Sequence, residues 1–256
     1  MRIVVKVGTS TLAHQTGGAN IRHMEELVKV LSDLKNAGHE VILVSSGAIG
    51  MGVGKLGLTR RPADLPTKQA AAAVGQCELM YIYDKLFAEY NHTVAQILLT
   101  ADDVKHDSRR SKLEDTLFRL LELGALPIIN ENDTISTAEI EIGDNDTLSA
   151  IVACCVHADL LVLLSDIDGL YTADPRRDAN ARLIQRVDAI TDEIIALGGG
   201  SGSGLGTGGM STKLSAAKMV MEAGTDMIIV NGAIPKLLYD IAEGKPAGTL
   251  FVGRKA

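Results

Sequence analysis

Residues 3–47, IVVKVGTSTLAHQTGGANIRHMEELVKVLSDLKNAGHEVILVSSG, decide the architecture. The stretch opens on the β-branched run Ile3-Val-Val-Lys-Val7 and closes on Glu40-Val-Ile-Leu-Val44. Between them Asn20 stands as an N-cap, apolar residues recur at Ile21, Met24, Leu27, Val28, Leu31 and Leu34, and Gly38 supplies a stop. That spacing predicts a helix with one buried face between two strands. The alternation continues outward, with strand-like runs at 93–99, 125–129, 160–164 and 227–230. Helical patterns are predicted at 68–90, 109–123, 146–157, 188–197 and 211–223. Strands alternating with helices predict an α/β fold, a three-layer αβα sandwich with a central, mostly parallel sheet. No internal repeat and no Pro/Ser-rich linker interrupts the pattern, so residues 1–256 are expected to form a single domain.

Composition narrows the function classes. With 256 residues and 46% apolar content the chain has enough apolar surface for a full core. A net charge of -7 disfavours a nucleic-acid partner, because phosphate backbones are bound by clustered Lys and Arg. Cys77, Cys154 and Cys155 lack metal-ligand spacing and are expected to be buried, reduced thiols of a cytoplasmic protein. No signal-peptide pattern precedes the first strand, and no apolar run reaches the roughly eighteen residues of a membrane span, so no membrane partner is expected.

Open parallel sheets bind ligands at the carboxyl ends of their strands, which directs attention to the loops there. The first strand leads into Lys6-Val-Gly8-Thr9-Ser10 and the second into Ser45-Ser-Gly-Ala-Ile-Gly-Met-Gly52. A strand lysine is commonly a solvated edge residue, and serine with glycine is ordinary turn chemistry. The second loop, uncharged and rich in glycine, nevertheless suits close approach to a polar ligand and is expected to lead into mobile sequence. The fourth strand runs into Asn130-Glu-Asn-Asp133-Thr134, and ten residues later comes Gly143-Asp-Asn145-Asp146-Thr147. A hairpin over residues 135–142 would return the second cluster to the first. Such residues also serve as turns and N-caps, but together they offer groups for a substrate ammonium, for lysines, or for Mg²⁺-bound water. The fifth strand ends in Ser165-Asp166-Ile-Asp-Gly169-Leu-Tyr-Thr-Ala-Asp-Pro175, which lacks EF-hand periodicity and suits a base-and-ribose pocket.

Residues 198–213, GGGSGSGLGTGGMSTK, hold eight glycines in their first twelve positions and end in a lysine at a predicted helix start. Backbone N–H groups, a helix N-terminus and an ammonium together form an anion site. The embedded GxGxxG is not in a dinucleotide-binding context, since no strand precedes it, and the GK[ST] of a P-loop is missing. The expected division is a mobile cover over 198–206 and a rigid phosphate-holding end over 207–213.

Lys6-Val-Gly-Thr-Ser10, Ser45-Ser-Gly-Ala-Ile49, Ile129-Asn-Glu-Asn-Asp133, Gly143-Asp-Asn-Asp146, Gly169-Leu-Tyr-Thr-Ala-Asp-Pro175 and Gly204-Leu-Gly-Thr-Gly-Gly-Met-Ser-Thr-Lys213 together resemble the glutamate 5-kinase family of the amino acid kinase superfamily. The resemblance runs through the whole chain in order. It implies the amino acid kinase fold and ATP-dependent phosphorylation of the γ-carboxylate of L-glutamate, the first step of proline biosynthesis, under feedback by proline. It implies Lys6 and Lys213 as stabilisers of the transferring phosphoryl group and Asp146 as the residue that orients both. Ser46, Asp133 and Asn145 would recognise glutamate. ATP would be held by Lys6, Gly8, Ser165, Asp166, Thr207, Gly208, Gly209, Met210, Ser211, Thr212 and Lys213. Mg²⁺ would arrive on ATP, with no direct protein ligand. The implied partners are further copies of the chain in a homo-oligomer and a functionally coupled glutamate-5-phosphate reductase. Many such kinases carry a C-terminal PUA domain, whereas this chain stops soon after Gly248-Thr-Leu-Phe251 and is expected to be a kinase-only form.

Three rival readings have their own signatures. An acetylglutamate or uridylate kinase would leave Asp133 without a substrate ammonium to pair with. A nucleotide-binding sensor would not need charge concentrated at the γ-phosphate. A hydride-transfer enzyme rests on the misplaced GxGxxG alone.

Overall fold

A computed structural model describes residues 1–14, 18–135, 144–199 and 209–254. Along these the chain forms β1 (Arg2–Val7), α1 (Thr9–Leu12), α2 (Ile21–Asn36), β2 (Glu40–Ser45), α3 (Ala48–Lys55), α4 (Leu65–Ala88), β3 (Val94–Leu99), α5 (Ala101–Lys105) and α6 (Asp107–Glu122). It continues with β4 (Leu126–Glu131), α7 (Asn145–Cys155), β5 (Leu160–Ser165), β6 (Arg186–Val187), α8 (Asp192–Ala196), α9 (Met210–Glu222), β7 (Asp226–Asn231), α10 (Leu237–Ala242) and β8 (Thr249–Phe251). The strands make one eight-stranded sheet in the order β3-β4-β2-β1-β5-β7-β8-β6. All pairs from β3 to β7 are parallel, and β8 runs antiparallel to β7. The mostly parallel α/β sandwich is therefore the observed architecture.

Alternation along β1 explains the layers. Ile3, Val5 and Val7 enter one core with Leu27 and Leu31 of α2 and Leu79, Tyr83 and Phe87 of α4. Val4 enters the other, with Leu148 and Val152 of α7 and Ala216 and Val220 of α9. Successive strand side chains face opposite sides, so Lys6 shares the α7/α9 side with Val4. It stands opposite Val44 of β2 and Leu163 of β5, on a strand paired on both edges. Lys6 is thus a central-strand lysine, its side chain only 11% exposed, and not a solvated edge residue.

The long helices start where local caps dictate. Asn20 accepts from the His23 N–H at the start of α2, and Gly38, at φ +89°, ends it in the left-handed region that glycine enters freely. Asp64 accepts from the Thr67 N–H and starts α4 three residues before the predicted helix, with Pro66 in its first turn. Thr191 caps α8, which therefore begins at Asp192 and not at 188.

The largest correction concerns the segment after β2, expected to be mobile. It is helix α3, despite Gly50, Gly52 and Gly54, because Gly52 on this helix and Gly75 on α4 let the two lie directly on each other. A Cβ at Gly52 would fall 1.8 Å from the Ala71 carbonyl oxygen, and one at Gly75 would fall 1.7 Å from that of Ala48. The two backbones touch along this seam. The short elements β6, β8, α1, α5 and α10 also lie outside the sequence expectations, their apolar patterns being too brief to register. The thiols are free, with Cys155 buried, Cys154 half-buried and Cys77 exposed, so burial does not extend to Cys77. Among the described residues no helix is long and apolar enough to cross a membrane.

Candidate active site

β1 is the switch point of the sheet, with β2 on one side and β5 on the other. Ligands of open α/β sheets settle at the carboxyl ends beside such a point. Asp144 caps α7 by accepting from the Thr147 N–H at 2.8 Å, which sets Asp146 in the first helical turn at the mouth of the sheet. Gly209 caps α9 and places Lys213 one turn in. The result is a shared carboxylate: Lys6 Nζ lies 2.6 Å from Asp146 Oδ1, and Lys213 Nζ lies 2.9 Å from Oδ2. Thr212 Oγ1 stands 3.1 Å from the same Oδ2 and 2.8 Å from the Gly209 carbonyl oxygen.

Asp146 is 1% exposed and Lys213 6%. Burial alone would push the Asp146 carboxyl up, but the two ammonium groups outweigh it and hold the pKa below the usual carboxylate value. The carboxylate is therefore ionised at neutral pH, and its ion pairs stabilise the fold there. That contribution is lost as pH falls through the depressed pKa. Two cations against one anion leave an excess positive charge, set beside the N-terminal N–H groups of α9. Such a centre attracts a polyanion.

A polar network extends from this centre toward β2 and α4. Asn145 Nδ2 points at Ser46 Oγ (2.6 Å), the Ser45 carbonyl oxygen (3.1 Å) and Asn130 Oδ1 (3.1 Å). Asn130 in turn donates through Nδ2 to Gln76 Oε1 at 2.9 Å. The Ser45 hydroxyl meets the Tyr83 hydroxyl at 2.9 Å inside the core, where burial pushes the Tyr83 phenol up despite that hydrogen bond. Tyr83→Phe is expected to cost about 1 kcal/mol of stability, since Ser45 keeps the Ser46 carbonyl oxygen within 3.2 Å as an alternative acceptor. A urea-unfolding midpoint identical to that of the parent would contradict this value.

Of the residues singled out in the sequence, the structure brings together Lys6, Asp146, Thr212 and Lys213, and next to them Asn145 and Ser46. Gly8 adjoins them, since a Cβ there would lie 3.7 Å from Lys6 Nζ. Gly209, Met210 and Ser211 form the start of α9. Ser165 closes β5, with its hydroxyl 3.3 Å from Asp166 Oδ1, and Asp166 is also paired with Arg176 at 3.2 Å. This places both at the carboxyl edge, one strand from β1. Asp133 lies in the turn that follows β4. Thr207 and Gly208 lie outside the described residues, as do nearly all of the expected hairpin at 135–142 and of the expected cover at 198–206. Gln76 and Tyr83 were not anticipated. The available signal was a polar residue within the buried stripe Ala72, Gln76, Leu79 and Tyr83 of α4, all at helical spacing.

Comparison with known proteins gives the family to which this fold belongs. The model of the amino acid kinase family matches residues 1–231. Glutamate 5-kinase of Clostridium perfringens is 53% identical over 99% of this chain and 96% of its own length. Glutamate 5-kinase of Clostridium tetani is 55% identical over 97% of this chain and 93% of its own. Among solved structures, UMP kinase from Bacillus anthracis superposes with a TM-score of 0.67 at 16% identity, covering 99% of this chain and 96% of that one. The isopentenyl phosphate kinase of T. acidophilum gives 0.64 at 20% identity, covering 98% and 99%. These structural likenesses speak for the fold alone. With half the residues of these two curated relatives preserved over nearly their full length, and the family model spanning most of the sheet, the chain belongs to the amino acid kinase family, among its glutamate 5-kinases.

Proposed function

We propose that the chain transfers the γ-phosphoryl group of ATP to the γ-carboxylate of L-glutamate, giving γ-glutamyl 5-phosphate and ADP as the first step of proline biosynthesis. The observation that carries the reading is the buried Asp146 held between Lys6 and Lys213. One oxygen of the substrate carboxylate forms the new bond to γ-phosphorus as the bond to the β,γ-bridging oxygen breaks, and the electron pair leaves on ADP. The acceptor is already ionised, so no general base is required. What the protein must supply is alignment and positive charge at the transferring group.

In this reading Lys6 and Lys213 neutralise charge on the phosphoryl oxygens, and Asp146 keeps both ammonium groups aimed at one point. Gly8 and residues 207–212 receive the nucleotide phosphates, with Ser165 and Asp166 flanking the nucleoside. Ser46, Asn145 and Asp133 take glutamate, Asp133 facing its ammonium group. Both oxygens of Asp146 already face ammonium groups, a donor set suited to phosphate oxygens and not to a bare cation. Mg²⁺ would enter with ATP, where it would supply charge screening of the phosphates. The proposal also takes residues 1–256 as one kinase domain, acting in the cytoplasm as a homo-oligomer, subject to proline and coupled to the reductase that consumes the acyl phosphate.

Purified protein with ATP, Mg²⁺, L-glutamate and hydroxylamine is expected to release ADP and a γ-glutamyl hydroxamate in equal amounts. Release of ADP with N-acetylglutamate or UMP, and none with L-glutamate, would overturn the assignment.

A further inference from the structure

We propose that Gln76, a buried residue of α4 with no hydrogen bond to the lysines or to Asp146 among the described residues, is a positioning residue that sets Ser46 as a hydrogen-bond donor toward the acceptor carboxylate. The inference rests on the glutamate-kinase reading.

Two backbone groups fix the polarity of the network. The Glu131 N–H has only a hydrogen to offer and lies 2.9 Å from Asn130 Oδ1, so that side of the Asn130 amide is its oxygen. The Ser45 carbonyl has only lone pairs to offer and lies 3.1 Å from Asn145 Nδ2, so that side of the Asn145 amide is its nitrogen. Asn145 Nδ2 therefore shares its two hydrogens among the Ser45 carbonyl, Asn130 Oδ1 and Ser46 Oγ, and it has no lone pair with which to accept from the Ser46 hydroxyl. With its oxygen thus used as an acceptor, the Ser46 hydroxyl keeps its own hydrogen to donate outward, the polarity that an anionic carboxylate requires.

Gln76 closes the other end. Its Oε1 accepts from Asn130 Nδ2 at 2.9 Å, the only hydrogen bond recorded for that nitrogen among the described residues. Gln76 is 7% exposed, so water is a poor substitute. Without this acceptor Asn130 Nδ2 is buried unpaired, and rotation of the Asn130 amide to relieve it would turn a nitrogen toward Asn145 Nδ2. The α3–α4 seam holds Gln76 at its post, because the neighbouring Gly75 lies against the Ala48 carbonyl, two residues beyond Ser46.

The test compares Gln76→Met, of similar length but lacking the acceptor, with Gln76→Glu, which keeps an acceptor oxygen. Q76M is expected to raise KM for glutamate by about 10-fold, the equivalent of one hydrogen bond to a charged group, while KM for ATP stays within about 2-fold. Q76E is expected to keep the glutamate KM within about 3-fold of the parent. A structural role alone would move both KM values together. An unchanged glutamate KM in Q76M, or an equal rise in both, overturns the proposal. Should Q76M fold poorly, Q76E still decides, since a larger rise in its glutamate KM contradicts the acceptor role. An active parent with an unaffected Q76M overturns this inference alone, whereas a parent without glutamate-dependent turnover overturns the functional reading and this inference with it.

Discussion

Lys213→Ala and Lys6→Ala are each expected to lower kcat by roughly 10²- to 10³-fold or more, the scale of losing one preorganised donor at a centre of developing charge. Each ammonium group is held by Asp146, at 2.9 and 2.6 Å respectively, in a site that excludes most water. Little reorganisation is then needed at the moment of transfer, and charge there acts in a low effective dielectric. Either substitution leaves Asp146 one partner, so the carboxylate is not abandoned in the interior and the fold is expected to persist. Because both lysines act through one carboxylate, the double variant should lose less than the product of the two single losses. ADP formation at saturating glutamate measures the effect, and near-normal turnover in both variants would remove the lysines from the mechanism.

Gly75→Ala should destabilise the protein by about 1–3 kcal/mol or more, although replacing glycine by alanine within a helix ordinarily gains up to about 1 kcal/mol. The sign reverses because the added Cβ falls 1.7 Å from the Ala48 carbonyl oxygen and 2.5 Å from the Gly52 nitrogen, both backbone atoms of α3. No rotamer change relieves a backbone collision, so α3 and α4 must separate. Ala48 follows directly on Ser46 and Gly47, and Gly47 is itself in the left-handed region at φ +102°, so separation also displaces the acceptor side of the site. A urea midpoint at or above that of the parent would show that the seam is not as tight as these distances require.

The layers were readable because strand and helix faces have different periods, and long segments repeat theirs enough times to be recognised. β6 and β8, with two and three residues, do not. Helix α3 fails for another reason. Its glycines make it a poor helix in isolation, and it forms only because the small residues of α4 accept its backbone at close range. Within the site, Lys6, Ser46, Asn145, Asp146 and Lys213 were legible, since each sits in a short run at the carboxyl end of a strand or the start of a helix. The link from Asn130 to Gln76 was not, because its ends lie 54 residues apart and only the packed fold joins them. Asp166 was legible as a loop residue, but its pairing with Arg176 was not.

The dispersal of the charged centre along the chain also bears on synthesis. A nascent chain that has not yet released residue 213 holds at most Lys6 and Asp146, and β1 gains its second neighbour, β5, only after residue 165 has been released. Domains organise as units, with long-range strand pairing among the slowest steps. The full-rate charged centre is therefore expected only once residue 213 has emerged and α9 has packed beside α7, and a chain short of that point is expected to be no faster than Lys213→Ala.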